Sequence, residues 1–148
     1  MRLTIVTVGK MKDRAQRALF DHYAEGTTLK EVEEKRKVSG AELKRHEAEL
    51  IRKAIPKDAL VVALDRRGRS LSSEELAERL ARWKDEGRNV AFVIGGAEGL
   101  DETLSHDADF VLSFGPNTWP HMLARIMLVE QLYRARSILA GHPYHRTG

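Results

Sequence analysis

The stretch Val90-Ala91-Phe92-Val93-Ile94-Gly95-Gly96-Ala97-Glu98-Gly99-Leu100 decides how the rest of this chain is read. Its first five residues are an unbroken apolar run, too short for a helix and stopped by glycine. Such a run reads as a parallel strand buried on both faces. The glycines that follow allow positive φ and let backbone approach a ligand without an intervening Cβ. GGxxG is not the GxGxxG dinucleotide fingerprint, so a Rossmann cofactor is disfavoured. An ordinary tight strand-to-helix connection is the alternative.

Upstream, Ser72-Ser73-Glu74-Glu75 carries a capping-box signal, with Leu76, Leu80 and Trp83 as a buried stripe and Gly87 at a left-handed C-cap position. Before it, Ala59 to Leu64 is a second short apolar run, ending in Asp65-Arg66-Arg67-Gly68-Arg69, which reads as an exposed loop with arginines suited to phosphate. Downstream come a short turn or helix near Asp101 to Leu104, a strand over Asp109 to Ser113, and loop chemistry at Phe114-Gly115-Pro116-Asn117-Thr118. Pro120 then opens the longest helix, with Leu123, Ile126, Met127, Val129, Leu132 and Tyr133 spread too widely for one narrow stripe.

At the N-terminus, Arg2 to Val8 reads as a strand closed by Gly9, and Lys12 to Ala24 as a helix. Thr28 to Val38 gives a partial strand, and Ser39-Gly40-Ala41-Glu42 a second capping box, before a helix that Pro56 terminates. Buried strands alternating with helices predict one α/β domain over residues 1–148, with a mainly parallel sheet and helices on both faces. The loops Leu64 to Arg69, Gly95 to Leu100 and Phe114 to Trp119 then meet at one sheet edge, where a small molecule should bind.

The 148 residues hold no cysteine, which excludes disulfides, thiolate metal sites and cysteine nucleophiles; no metal is expected. No signal-peptide pattern or membrane-length apolar segment occurs, which predicts a soluble cytoplasmic protein without membrane contact. Net charge is only +3, but residues 119–148 carry four arginines and three histidines against one glutamate, a candidate polyanion surface. Solvated helix charge is the alternative. The broad apolar surface of the Pro120 helix predicts a homodimer.

Four motifs in order, Leu64-Asp65-x-Arg67-Gly68, Ile94-Gly95-Gly96-x-x-Gly99-Leu100, Thr118-Trp119-Pro120-His121 and His142-Pro143-Tyr144-His145-Arg146, together with Val6-Thr7-Val8-Gly9-Lys10, carry a resemblance that runs essentially end to end. The chain resembles the SPOUT class of trefoil-knotted methyltransferases, and within it the family that methylates N3 of a pseudouridine in 23S ribosomal RNA. That resemblance implies a deep C-terminal knot and an S-adenosyl-L-methionine pocket formed by Leu64, Gly95, Gly96 and the loop Phe114, Gly115, Pro116, Asn117, Thr118, Trp119. It implies a substrate in 23S rRNA within the ribosome, and an RNA site where one subunit's pocket meets basic residues of its partner.

N3 of pseudouridine is a weakly acidic imide that must lose its proton to act as a nucleophile, and a nearby cation stabilises the anion. The candidates are His121, Arg125, His142, Tyr144, His145 and Arg146. Each has another reading: His121 as a cap, Arg125 as a solvated charge, Tyr144 as packing. No single base is named. A non-catalytic ribosome-associated RNA-binding protein and a generic phosphate-binding enzyme are the competing functions.

Overall fold

In the computed structural model, which describes residues 1–146, strand and helix alternate along the whole chain. The strands are β1 (Leu3–Val8), β2 (Thr27–Val32), β3 (Leu60–Ser70), β4 (Val90–Ile94) and β5 (Phe110–Ser113). The helices are α1 (Arg14–Tyr23), α2 (Gly40–Ala54), α3 (Ser73–Asp85), α4 (Glu102–Asp107) and α5 (His121–Leu139). The strands form one parallel sheet in the order β2-β1-β4-β3-β5. Residues 147 and 148, included in the domain expectation, lie outside the described part.

The alternation of side chains along each strand sorts the core into two layers. Leu3, Ile5, Val62 and Phe92 meet Phe20, Leu76, Leu80, Trp83, Leu128 and Leu132, from α1, α3 and α5. Val6, Val8, Ala63 and Val93 meet Ala48, Ile51 and Leu104, from α2 and α4. Helices therefore cover both faces, and the short apolar runs are strands buried on both sides.

Local signals fare unequally. Ser72 forms its capping box: its hydroxyl accepts from Glu75 N–H at 3.1 Å, and its own N–H donates to Glu75 Oε1 at 2.8 Å. Ser39 caps α2 without any side-chain hydrogen bond, contrary to the expected second box. Gly40 follows it at φ +57°, and this left-handed turn takes the first amides of α2 out of line with the serine hydroxyl. The expected partial strand over Thr28 to Val38 is confined to β2 and ends at Val32.

The expected arginine loop is instead part of β3. Leu64 and Arg69 both lie opposite Leu112 of β5, so Asp65 to Gly68 are extruded from the ladder as a bulge before pairing resumes. Gly68 makes the return possible, since a Cβ there would stand 2.6 Å from the Val111 carbonyl oxygen.

The breadth of α5 is largely absorbed within the chain. Ala124, Ile126, Leu128, Val129, Leu132 and Ala135 are buried, and α1 and α3 pack against the helix on the sheet. Leu123 and Leu139 remain exposed. Most of the apolar width of the helix is thus accounted for within the chain.

Arg125 is no solvated charge. It is completely buried, its Nη1 bonding Glu31 Oε2 and its Nη2 donating to the carbonyls of Val8 (3.1 Å) and Gly9 (3.0 Å). The guanidinium fastens the first turn of α5 across the ends of β1 and β2. Burial lowers its pKa, and the Glu31 carboxylate opposes that shift. Breaking a buried pair by removing one partner typically costs about 3–5 kcal/mol, because the other charge is left uncompensated. Arg125→Met is expected to lower unfolding stability by about 3 kcal/mol in urea titration, and the Arg125→Met/Glu31→Gln double variant by less than the sum of the single losses. Additive losses would show that the pair is not coupled.

Candidate functional site

Because every strand runs the same way, the carboxyl ends of β3, β4 and β5 deliver their following segments to one edge. They enclose a cavity of about 420 Å³ lined by Leu64, Asp65 to Arg67, Ile94 to Gly96, Glu98 to Leu100, Phe114, Gly115, Asn117 to Trp119, His121 and Ala124, with Lys44 entering from α2 and Glu102 from α4. Its volume lies in the range of small-molecule pockets.

The β4 end folds back on itself, with Gly99 N–H donating to the Gly96 carbonyl at 2.9 Å. Only Gly99 of the three glycines has positive φ, at +85°. Gly95 is required for a different reason: a Cβ there would stand 2.4 Å from the carbonyl of Gly99 and 2.5 Å from Leu100 N. Two stretches of backbone occupy the space that a side chain needs.

Ser113, buried at the end of β5, joins two walls. Its hydroxyl donates to the Arg66 carbonyl at 3.0 Å and accepts from Gly115 N–H at 3.0 Å. Trp119, largely exposed, closes the next loop by donating from Nε1 to the Phe114 carbonyl at 3.3 Å. On the β3 bulge, Asp65 accepts from Arg67 N at 2.9 Å and from Arg67 Nη2 at 3.0 Å. These bonds to Arg67 hold the Asp65 carboxyl below its usual range. Arg67 is therefore engaged with Asp65 within the bulge, and both it and Arg66 line the cavity.

His121 stands at the cavity edge in the first turn of α5 and makes no capping bond. Burial, and secondarily the nearby Arg125, lower its pKa, and its Nδ1 has no hydrogen-bond partner. With its pKa lowered from the ordinary value, the imidazole is neutral near pH 7.

The structure brings Leu64, Gly95, Gly96, Phe114, Gly115, Asn117, Thr118, Trp119 and His121 around one cavity. Pro116 is in the same loop but outside the lining, and Arg125 sits behind the cavity, in contact with β1 and Glu31. The tail lies elsewhere. Tyr144 packs edge-on against Tyr133 at 4.8 Å, donates its hydroxyl to Glu130 at 3.0 Å and lies under the Arg134 guanidinium. Burial, Tyr23 and Glu130 keep the phenol protonated by raising its pKa. His145 bridges Arg134 (3.1 Å) and Glu74 (3.4 Å), His142 accepts from Tyr144 N–H at 3.2 Å, and Arg146 is exposed.

Lys44 and Ser113 were not singled out by the sequence. A serine ending the apolar stretch Phe110 to Leu112 was the available signal for Ser113. Lys44 had none, since only the packing of α2 on the sheet carries it to the loops. Among the described residues, no cluster of His, Asp or Glu could hold a metal ion, and no helix is long and apolar enough to cross a membrane.

A family model described as predicted SPOUT methyltransferase matches residues 1–145. A Rhodospirillum centenum protein named ribosomal RNA large subunit methyltransferase H is 53% identical over 151 aligned residues covering 99% of each chain. The protein of the same name from Paramagnetospirillum magneticum is 52% identical, again over 99% of each chain. Among solved structures, a probable methyltransferase from Bordetella pertussis superposes with TM-score 0.60, covering 90% of this chain and 95% of that one at 16% identity. That likeness concerns the fold alone.

Gly95→Ala is expected to displace the β4 turn while leaving the sheet intact, at a cost of about 1–3 kcal/mol. Far-UV circular dichroism should be unchanged, while amide exchange at residues 95–100 accelerates. Unaltered exchange would show that the turn has room for a side chain.

Proposed function

The chain belongs to the SPOUT methyltransferase family, and from that premise we propose that it transfers a methyl group from S-adenosyl-L-methionine to N3 of a pseudouridine in 23S ribosomal RNA, acting in the cytoplasm on the assembled ribosome. The observation that carries this reading is the cavity at the ends of β3, β4 and β5, in a chain matched end to end by proteins named as large-subunit rRNA methyltransferases. The family assignment brings with it the deep C-terminal knot, which forms part of the proposal.

The residues present fit the cofactor. Leu64, Phe114 and Trp119 offer apolar surface for an adenine ring, and Gly95, Gly96 and Gly115 bring main chain to the cavity wall with no side chain between it and the cofactor's polar groups. When bound, the cofactor supplies an electrophilic methyl group on a sulfonium. The protein's task is to hold the uracil-like base in line and to take up the N3 proton. Neutral His121 at the cavity edge is one candidate to accept it, beside the carboxylates of the lining, while cationic side chains stabilise the imide anion. Arg125 serves by fixing the helix turn that bears His121, without touching the base.

Tyr144, His145 and Arg146 do not line the cavity of their own chain, and Tyr144 and His145 lie next to Glu130 and Glu74. This supports a composite site in a homodimer, in which the tail of one subunit serves the cavity of the other. Exposed Leu19 and Leu123 on α1 and α5 suit the dimer seam.

Calorimetry should show the purified chain binding S-adenosyl-L-methionine, and mass spectrometry of 23S rRNA from cells lacking the protein should show a pseudouridine short of one methyl group. Unchanged RNA would overturn the substrate; binding to ribosomes without binding to the cofactor would favour the non-catalytic reading. Truncation after Gly141 is expected to leave a dimer, seen by sedimentation, that binds the cofactor and no longer methylates ribosomes. Retained methyl transfer would remove the tail from the site, and dissociation to monomers would make its part structural.

A further inference from the structure

Behind the β4 turn lies a side chain that the proposed reaction does not use. Glu47 of α2 is buried, with only 7% of its surface exposed, and its carboxylate lies against Gly96. A Cβ on Gly96 would stand 3.0 Å from Glu47 Oε2 and 3.3 Å from Oε1, with Val8 Cγ1 at 2.9 Å. Gly96 itself lines the cavity. The carboxylate is thus separated from the cavity by little more than the Gly96 backbone.

Glu47 lacks compensation. Its Oε1 has no hydrogen-bond partner, and no ion pair among the described residues includes it. The contrast is Glu34, also nearly buried, which pairs with Arg36 at 2.9 Å and His46 at 3.5 Å and has its carboxyl lowered to about 2. Burial, and then the nearby acids Glu98 and Glu34, push the Glu47 carboxyl the other way. A buried acid without a partner is costly, and a cation arriving nearby relieves that cost.

The other charges at the cavity wall do not supply such a preference. Lys44, Arg66 and Arg67 stand against Asp65, Glu98 and Glu102, near solvent and opposite in sign. Their fields are screened and largely cancel, while that of a buried carboxylate a few ångströms behind glycine is screened much less.

We propose that Glu47 is a specificity-determining residue of the cavity: seated behind Gly96, it favours a ligand with a positively charged sulfonium over the same ligand with a neutral thioether. The inference rests on the reading that the cavity takes S-adenosyl-L-methionine. It gives the site a way to hold the methyl donor and to release S-adenosyl-L-homocysteine, because the positive charge leaves the sulfur with the methyl group. Glycine at position 96 also leaves the carboxylate in place, since a Cβ there would crowd Val8 Cγ1 at 2.9 Å and press on Glu47 Oε2 at 3.0 Å.

The test is calorimetry of both ligands with the full chain, wild type and Glu47→Gln. The variant cannot ionise and keeps the shape. It is expected to bind S-adenosyl-L-methionine about tenfold more weakly while its affinity for S-adenosyl-L-homocysteine stays within about twofold. Glu47→Ala, measured beside it, should move the ratio of the two affinities in the same direction. Parallel weakening of both ligands, no change in either, or loss of folded structure by circular dichroism in both variants would overturn the proposal and leave Glu47 a structural residue. If the wild type binds neither ligand, the cofactor reading itself fails, and this inference with it.

Discussion

The hydrogen bonds of Arg125 are the interaction on which the placement of the site depends. α5 begins next to the cavity, yet its first turn could pivot, because Pro120 supplies no side-chain cap and the loop before it contains glycine and proline. Burying a guanidinium is unfavourable unless its donors are matched, and here Nη1 and Nη2 are matched by the Glu31 carboxylate of β2 and by the Val8 and Gly9 carbonyls at the end of β1, while Nε has no partner. The same bonds that offset the cost of burial fix the distance between His121 and the strand ends. Glu31 is held in turn by Met11 N–H at 2.9 Å, so the loop after β1 belongs to the same arrangement.

Around that fixed point the cavity is built largely from main chain. Gly95 lies against Gly99 and Leu100 with no space for a side chain, Gly68 brings the bulge back against Val111, and Ser113 ties the bulge to the β5 loop. A wall of backbone presents amides and carbonyls in fixed directions and orders few flexible side chains on binding, which favours precise seating of a polar ligand. Charge then enters in two ways, through exposed side chains that balance one another and through Glu47 behind the turn.

The tail illustrates how chemistry-bearing residues can be adjacent in sequence to a site and distant from it in space. α5 carries the chain away from the cavity, and Tyr144 and His145 dock on Glu130, Arg134 and Glu74. Their polar groups are occupied within the chain, so any RNA that recruits them must replace those partners.

The sequence by itself determined the alternation of elements, the parallel sheet and the sheet edge that bears the cavity. These follow from short-range rules: Val90 to Ile94 and Ala59 to Leu64 are too short and too apolar for anything but buried strands, and Ser72 with Glu75 closes a box over three residues. Family likeness named most of the cavity lining, because motifs at strand ends are contiguous in the chain. Tertiary structure alone decided the rest. It made Asp65 to Gly68 a bulge by pairing both Leu64 and Arg69 with Leu112, turned Arg125 from a helix charge into a buried clamp through partners some ninety and more residues away, and brought Lys44 and Glu47 to the β4 turn. The physical reason is the same in each case: the meaning of a charged residue depends on burial and on which partners reach it, and neither is a property of its neighbours in sequence.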